Sequence, residues 1–292
     1  MKWMKNSIES LTGRLFKPVR TIQPIFICGV SGAGTSLLPA LLHQHYRTDA
    51  YIHESDMNPA LGSSRLKIDG VRHYSNLTHY RAALPLPIDI SQEEIRGGKL
   101  LVYRRAVRTP MPTNRILDKS ACANLLRSKP YNATFTNARF VMIFRDPADN
   151  IEGLRRKWPD FYGQESLELL CDFWQDLHEQ FLADCQDFPD KTLMIAYETL
   201  VENSLELLHK TADFCALPPR TFPLGFINAP HYDDRPNSAG KGIRHVKNGV
   251  ISLRSAEEKK RQPYTLSDQE VSRIRQRLSP TYEKYLARSL GM

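Results

Sequence analysis

Short apolar segments alternate with longer amphipathic segments along most of this chain. The apolar segments are predicted to be buried strands, and they occupy residues 24–30, 50–54, 115–120, 138–147 and 192–198. The segments between them carry apolar residues three or four positions apart, which predicts helices. Strands that alternate with helices indicate an α/β fold, with a mostly parallel sheet flanked by helices and with ligands at the carboxyl ends of the strands.

The helices are predicted at residues 35–46, 123–129, 149–158, 165–187 and 200–217. In the longest of them, Leu169, Phe173, Leu177 and Phe181 recur every four residues. The C-terminal part begins with Ser267 as a helix cap and is predicted to form two helical pieces that are broken at Pro280.

Two stretches, residues 55–114 and 228–265, lack this rhythm and are rich in Pro, Gly, Arg, His and Tyr. They are predicted to be long loops over the ligand-binding edge of a single domain that spans residues 22–292. Residues 1–21 are predicted to form a separate amphipathic helix. Such a helix packs on its own domain or on a partner subunit, or lies on a membrane surface.

Composition and charge limit the classes of partner. The chain has 292 residues, of which 41% are hydrophobic and 25% charged, and its formal net charge is +8. This charge favours a polyanionic ligand or an anionic surface. No arginine-rich tail, zinc-ligand spacing or aromatic RNA-binding motif is present, so neither a nucleic-acid partner nor a metal is expected.

The cysteines indicate a reducing compartment. They are scattered without a C-x-x-C pair and lie in apolar or helical contexts, at Cys28, Cys122, Cys171, Cys185 and Cys215. No stretch reaches the roughly 18 to 20 apolar residues that a membrane span needs. The sequence therefore predicts a cytoplasmic protein with buried, reduced thiols.

The stretch IFICGVSGAGTSLL at residues 25–38 has the outline of a phosphate-binding loop. From Gly29 to Ser36 it fits the Walker A spacing, except that Thr35 occupies the position of the lysine. Glycines let backbone N–H groups turn toward an anion, and the following helix directs its positive end at that anion. The alternative is a tight turn between a strand and a helix that holds no ligand.

Two further motifs follow the loop, LDKSACANLL at residues 117–126 and FVMIFRDPADNIEGLRRKW at residues 140–158. In order and spacing, the loop, D-K-S and R-D-P resemble the sulfotransferases that use 3′-phosphoadenosine 5′-phosphosulfate. The resemblance covers about residues 22–217. It implies a P-loop NTPase-like sulfotransferase fold, and transfer of a sulfuryl group from this nucleotide to a hydroxyl or amine of a small molecule, lipid or carbohydrate.

The resemblance also implies which residues bind the nucleotide. The residues that would hold the 5′-phosphosulfate are Ser31, Gly32, Ala33, Gly34, Thr35 and Ser36. Arg145 would bind the 3′-phosphate, with the two-point geometry that a guanidinium offers. In this family a late basic loop often closes over the nucleotide, and Lys241 and Arg244 would serve there. The alternative for them is a solvated loop.

The chain departs from the family pattern at two positions. A serine that binds the 3′-phosphate is replaced by Gly153, and the basic residue of the first loop is replaced by Gly32. Lys119, at the end of a neighbouring strand, is the candidate to supply the missing charge. The alternative is that the protein binds the nucleotide poorly or not at all.

Sulfuryl transfer also needs a base for the acceptor proton. The candidates are His53, Glu54 and Asp118, which lie at the ends of predicted strands. A loop with His73, Tyr74, His79 and Tyr80 is predicted to face the acceptor, on which the aromatic rings would stack.

Two other functions stay open at this point. A nucleotide kinase-like phosphotransferase would explain the Walker A spacing, but it lacks the lysine and an acidic Mg²⁺ ligand at the strand that ends in Arg145. A catalytically weak or inactive relative would bind an anion or a partner.

Overall fold

The computed structural model describes residues 22–68, 76–107, 113–221, 244–247, 250–253 and 265–290. The side chains of Ser204 and of residues 244–247 and 250–253 are not part of that description. The predicted helix over residues 1–21 lies outside the described residues.

A five-stranded parallel sheet forms the centre of the molecule. Its strands are β1 (Gln23–Cys28), β2 (Ala50–His53), β3 (Arg115–Lys119), β4 (Arg139–Phe144) and β5 (Thr192–Ala196). They lie in the order β2-β3-β1-β4-β5, and every neighbouring pair is parallel. All five predicted strands are present, and the predicted α/β class with a parallel sheet is confirmed.

Helices cover both faces of this sheet. They are α1 (Leu37–His45), α2 (Leu77–Ala83), α3 (Gln92–Ala106), α4 (Ala123–Leu126), α5 (Ser128–Thr134), α6 (Pro147–Lys157), α7 (Pro159–Tyr162), α8 (Leu167–Asp184), α9 (Tyr197–Glu202), α10 (Ser204–Phe214) and α11 (Asp268–Leu286). Successive side chains of a strand point to opposite faces. In β1, therefore, Phe26 joins one apolar core and Ile27 joins the other.

The prediction of a long loop over residues 55–114 is wrong. This stretch contains α2 and the fifteen-residue helix α3, which begins with a capping box between Ser91 and Glu94. The buried face of α3 includes a charged residue, Lys99, and Gly97 and Gly98 lie beside it. Because these residues interrupt the apolar pattern, the sequence did not predict this helix. In the other predicted loop, residues 228–265, Arg244–Lys247 and Val250–Leu253 form an antiparallel strand pair, β6 and β7.

The predicted break at Pro280 is also wrong, because α11 continues through it. Its buried residues lie on both sides of the proline, with Ile274 and Leu278 before it and Tyr285 after it. Packing of this face offsets the backbone hydrogen bond that proline removes. The predicted cap is confirmed, since Ser267 and Glu270 form a capping box.

The five cysteines are free and buried, as predicted.

Lys99 forms a buried ionic network with two carboxylates. Its Nζ lies 2.6 Å from Asp56 Oδ1 and 3.1 Å from Asp118 Oδ2, and all three side chains are fully buried. Tyr103 donates its hydroxyl proton to Asp118 at 2.7 Å. Arg127 lies 3.4 Å from the other oxygen of Asp56. The network attaches α3 and the segment after β2 to the end of β3.

The charges in this network stabilise one another. Burial alone would lower the pKa of Lys99, but the carboxylates of Asp118 and Asp56 outweigh it and hold that pKa above its usual value. Burial raises the pKa of Asp56, and the charges of Lys99 and Arg127 more than reverse this, so that pKa is lowered. Lys99 and Asp56 are therefore charged together at neutral pH.

Removal of the Lys99 cation should destabilise the protein, because two carboxylates would remain buried without their main partner. We expect Lys99→Met to lower the free energy of unfolding by about 3 to 5 kcal/mol. The matched control is Lys129→Met, since Lys129 pairs with Asp187 at the surface. That change should leave the free energy of unfolding nearly unchanged, because solvent screens an exposed ion pair. Equal effects of the two variants in denaturant titrations would contradict this view of the network.

Candidate active site

The glycine-rich loop of residues 29–36 joins β1 to α1 at the carboxyl edge of the sheet. Its shape requires glycine at two positions that contact other elements. Gly29 has φ +150°, and a Cβ there would lie 2.4 Å from the carbonyl oxygen of Ile143. Gly34 has φ +102°, and a Cβ there would lie 2.6 Å from Cδ2 of Tyr197. The loop is therefore pressed against the ends of β4 and β5.

The hydroxyl residues of this loop differ in position. Thr35 is buried, with 3% of its surface exposed. Ser36 occupies the N-cap position of α1, but its hydroxyl does not cap the helix. Its Oγ lies 3.2 Å from Nε2 of His53, at the end of β2. Ser36 thus connects the loop to the next group of side chains.

Lys119, Glu54 and His53 meet beside the loop. Nζ of Lys119 lies 3.3 Å from Nε2 of His53 and forms an ion pair with Oε1 of Glu54. The backbone N–H of Ala121 donates to the other oxygen of Glu54 at 3.2 Å. The Lys119 side chain is 4% exposed and that of Glu54 is 23% exposed. Three of the four predicted catalytic residues are therefore in mutual contact, with the carboxylate nearest to solvent.

Glu54 has a backbone conformation that is rare for its residue type. Its φ of 50° and ψ of 58° lie in the left-handed region. A non-glycine residue in that region costs about 1 to 3 kcal/mol, and such residues concentrate at functional sites. The contacts of its carboxylate with Lys119 and Ala121 hold it there.

The fourth predicted catalytic residue, Asp118, lies elsewhere. It is fully buried in the network with Lys99 and accepts hydrogen bonds from Ser55, Tyr103 and Lys99. Adjacent residues of a strand point to opposite faces, so Asp118 faces away from the side on which Lys119 lies. This placement corrects the expectation that Asp118 accepts a proton in the active site.

Arg145 follows β4 at the same edge of the sheet. Its Nη1 donates to the carbonyl oxygen of Gly32 at 3.4 Å, and its Nη2 lies 3.1 Å from Oδ2 of Asp149. The guanidinium also lies over the ring of Tyr197, at 4.9 Å from the ring centre. A guanidinium with 15% exposure at this position can contact an anion that is bound next to the loop.

The structure shows the surroundings of Gly32 and Gly153, the two positions at which the sequence departs from the family pattern. Gly32 has φ +87°, which an L-residue rarely adopts, and a Cβ there would meet Nδ2 of Asn150 at 3.1 Å. A lysine or arginine at position 32 would therefore strain this loop. A Cβ on Gly153 would lie 3.6 Å from Nη1 of Arg145. Position 153 thus faces the arginine, and glycine leaves that space open.

Several predicted ligand-facing residues have other placements or fall outside the described part. Tyr80 is buried in an aromatic cluster with Phe161 and Phe173, whereas His79 is exposed. His73, Tyr74, Lys241 and the side chain of Arg244 lie outside the described residues.

Sequence reasoning assigned no role in the site to two residues that hold it together. Asn150 donates its side-chain N–H to the carbonyl oxygen of Ser31 at 2.9 Å. Tyr197 contacts both Gly34 and Arg145. The signal for Asn150 was its place in the first turns of the helix after R-D-P, and the signal for Tyr197 was its place directly after a predicted strand.

In the residues that the structure describes, no group of three or more His, Cys, Asp or Glu is arranged to hold a metal ion. Within the same residues, no helix combines the length and the hydropathy that a membrane span requires.

The arrangement suits transfer of an anionic group. A glycine-rich loop precedes a helix, two cations lie beside it on different strands, and a carboxylate and an imidazole lie next to one of these cations. The helix start and the two cations stabilise negative charge, and the carboxylate or imidazole can accept a proton.

Comparisons with known proteins agree with this geometry. A sequence model described as the Sulfotransferase family matches residues 24–221. A comparison with curated protein sequences finds no match. A sulfotransferase structure from Alicyclobacillus acidocaldarius is similar, with 11% identity over 91% of this chain and 94% of that chain, and a TM-score of 0.52.

A second similar structure is the sulfotransferase domain from the Synechococcus PCC 7002 olefin synthase. It has 16% identity over 88% of this chain and 95% of that domain, and a TM-score of 0.50. At these identities the structures establish the fold alone.

The close contact of the loop with Tyr197 predicts that Gly34 tolerates no side chain. We expect Gly34→Ala to lower the free energy of unfolding by about 1 to 3 kcal/mol, because of its positive φ and the clash with the ring. The control is Gly97→Ala in α3, where a Cβ would meet nothing within 4 Å. That variant should gain about 0.5 to 1 kcal/mol. Denaturant titration measures both, and an unchanged Gly34→Ala protein would refute the packing argument.

Proposed function

The chain belongs to the sulfotransferase family, and on that premise we propose that it transfers a sulfuryl group from 3′-phosphoadenosine 5′-phosphosulfate. The acceptor is a hydroxyl or amine of a small molecule, lipid or carbohydrate. The observation that carries the proposal is the meeting of the loop, Arg145 and the Lys119–Glu54–His53 group at one edge of the sheet.

The donor nucleotide contacts two parts of this edge. Its 5′-phosphosulfate lies at the loop, where backbone N–H groups and the start of α1 stabilise negative charge. Its 3′-phosphate binds Arg145, because a guanidinium contacts a phosphate at two points. The contact of Arg145 with Gly32 supports this assignment, because it keeps the guanidinium beside the loop.

Lys119 supplies the cation that the loop lacks. Two contacts connect Lys119 to the loop: Ser36 of the loop contacts His53, and His53 contacts Lys119. During transfer the bond between sulfur and the leaving phosphate oxygen breaks, and negative charge develops on that oxygen. A lysine beside the loop stabilises this charge.

Glu54 is our choice for the base that accepts the acceptor proton. It is more exposed than His53, whose side chain is 9% exposed. When Lys119 turns toward the leaving oxygen, the carboxylate is free to contact the hydroxyl or amine of the acceptor. The Nε2 atom of His53 keeps its contact with Ser36 of the loop during this step.

The phosphotransferase alternative finds less support at this edge. Asp118 is the carboxylate at the end of β3, and the buried network with Lys99 occupies it. The end of β4 carries Arg145 in place of an acidic Mg²⁺ ligand.

Binding of adenosine 3′,5′-bisphosphate tests the donor. We expect the protein to bind this nucleotide more tightly than ATP in calorimetry, because Arg145 has a 3′-phosphate to contact. Arg145→Ala should weaken the binding by about 10- to 100-fold, the value of a charge-assisted hydrogen bond. The control is Arg156→Ala, an exposed arginine of α6, the helix that follows Arg145. Equal or tighter binding of ATP by the unmodified protein would refute the proposed donor.

Turnover of the Lys119→Ala variant tests the substitute cation. Release of adenosine 3′,5′-bisphosphate from the donor, followed over a panel of alcohols, phenols, amines and sugars, should fall by about 10²- to 10³-fold. Nucleotide affinity should fall much less, because the charge matters most in the transition state. Lys129→Ala, at the exposed surface, serves as the control. Full activity of Lys119→Ala would remove Lys119 from the mechanism.

A further inference from the structure

A recess lies at the end of α1 that is farthest from the glycine-rich loop. The loop comes directly before the first turn of α1, whereas the recess lies beside its last residue, His45, and its C-cap, Tyr46. Nine residues make α1 roughly 13 Å long, so the recess is separate from the candidate active site. Its volume is about 190 Å³, and α1, α10 and the segment after α10 line it.

Hydrogen bonds hold Arg220 in the wall of this recess. Tyr46 and Pro219 form an antiparallel bridge, and next to it the backbone N–H of Arg220 donates to the carbonyl oxygen of His45 at 3.0 Å. Nε of Arg220 donates to the carbonyl oxygen of His43 at 3.1 Å. Its two Nη groups donate to no acceptor among the described residues. Part of a fixed guanidinium is therefore available to a ligand.

The positive charge at this recess has no carboxylate partner in the described part of the chain. Neither Arg220 nor Arg47 forms an ion pair with a described residue. Burial, and then the charge of Arg47, lower the pKa of Arg220. Burial, and then the nearby His209, lower the pKa of His45. An anion in the recess would offset the repulsion between these groups.

An imidazole and a phenol add polar atoms to the same wall. The hydroxyl of Tyr46 and Nδ1 of His209 share a hydrogen bond of 2.7 Å, which leaves Nε2 of that imidazole for another partner. Burial, and then the carboxylate of Asp213, raise the pKa of Tyr46. Within the described residues, Asp213 forms no ion pair with His209 or Arg220. The carboxylate nearest to the phenol thus leaves these two groups to a ligand.

The rest of the wall is apolar and consists of Leu205, Leu208 and Pro219. Leu208 is buried, whereas 69% of the surface of Leu205 is exposed. A hydrocarbon group that covered Leu205 would remove this apolar surface from water, which is favourable. The recess therefore offers a cationic side and an apolar side to one ligand.

We propose that this recess is a binding site for a small organic carboxylate that carries an apolar group. The guanidinium of Arg220 matches the two oxygens of a carboxylate, and His209 adds a further donor. The hydrocarbon part packs on Leu205 and Pro219. The volume is below the roughly 300 Å³ of pockets that hold drug-sized ligands, which limits the ligand to a small one. This site is independent of the proposed donor and acceptor.

Titration of the whole chain with benzoate, followed by nuclear magnetic resonance, tests the site. Benzamide has nearly the same shape without the charge, and acetate has the charge without the ring. The imidazole C–H signals of His45 and His209 report on the recess. The signal of His53 reports on the candidate active site, where a second anion-binding surface lies.

Two variants remove one side of the recess each. Arg220→Gln removes the guanidinium, and Leu205→Gln removes the exposed apolar side chain. The control is Lys210→Gln, because Lys210 is an exposed residue of the same helix α10 and pairs with Glu206 outside the recess. Leu205→Gln and the two comparison ligands decide the question even if Arg220→Gln fails to fold.

We expect benzoate to shift the signals of His45 and His209 with a Kd of about 1 mM, as befits a ligand of so few atoms, and to leave His53 unchanged. Benzamide and acetate should bind at least about tenfold more weakly. Arg220→Gln should weaken benzoate binding at least about tenfold and Leu205→Gln about threefold, with no change in Lys210→Gln.

Four results would overturn the inference. Benzoate that leaves His45 and His209 unshifted well above the expected Kd would show that the recess is no site. A shift of His53 alone would place the anion in the candidate active site. Equal binding of benzoate and benzamide would remove the role of the charge. Undiminished binding of benzoate to Leu205→Gln would remove the role of the apolar wall.

Discussion

The buried ion pairs of Lys99 with Asp56 and Asp118 are the interaction on which the candidate site depends. Asp118 and Lys119 are consecutive residues of β3 and point to opposite faces of the sheet. When the network fixes Asp118, it also fixes the backbone that carries Lys119. Asp56 is two residues after Glu54, so the same network holds the segment that carries the proposed base. A buried group of charges therefore lies directly behind the candidate catalytic residues.

In the proposed function, this arrangement supplies the cation that the loop lacks. Gly32 has a backbone conformation that disfavours a long side chain, and the loop is pressed against β4 and β5. Lys119 comes from a strand on the other side of β1, and it approaches the loop through His53 and Ser36. In the proposed function, the positive charge therefore comes from the neighbouring strand, where Lys119 is paired with Glu54 before transfer.

The strands, and the order of the motifs that follow them, could be predicted because buried parallel strands give continuous apolar runs in the sequence. The helix α3 was not, because Lys99 on its buried face is compensated only by carboxylates that are distant in sequence. The pairing of Lys99 with Asp118 also made the choice of Asp118 as a candidate base wrong. The sequence does not show on which face of the sheet the partner of a residue at a strand end lies. Lys119, His53 and Glu54 were found because they end neighbouring strands. Tyr197 was assigned no role in the site because its contact with Arg145 arises from the register of β4 with β5.

The most direct test of the central claim is a crystal structure of the protein with adenosine 3′,5′-bisphosphate. The account predicts the 5′-phosphate at the backbone N–H groups of the loop, with Nζ of Lys119 beside it, and the 3′-phosphate within hydrogen-bond distance of Arg145. The account would be contradicted by a nucleotide bound elsewhere. It would also be contradicted by a 5′-phosphate at the loop that Lys119 does not approach.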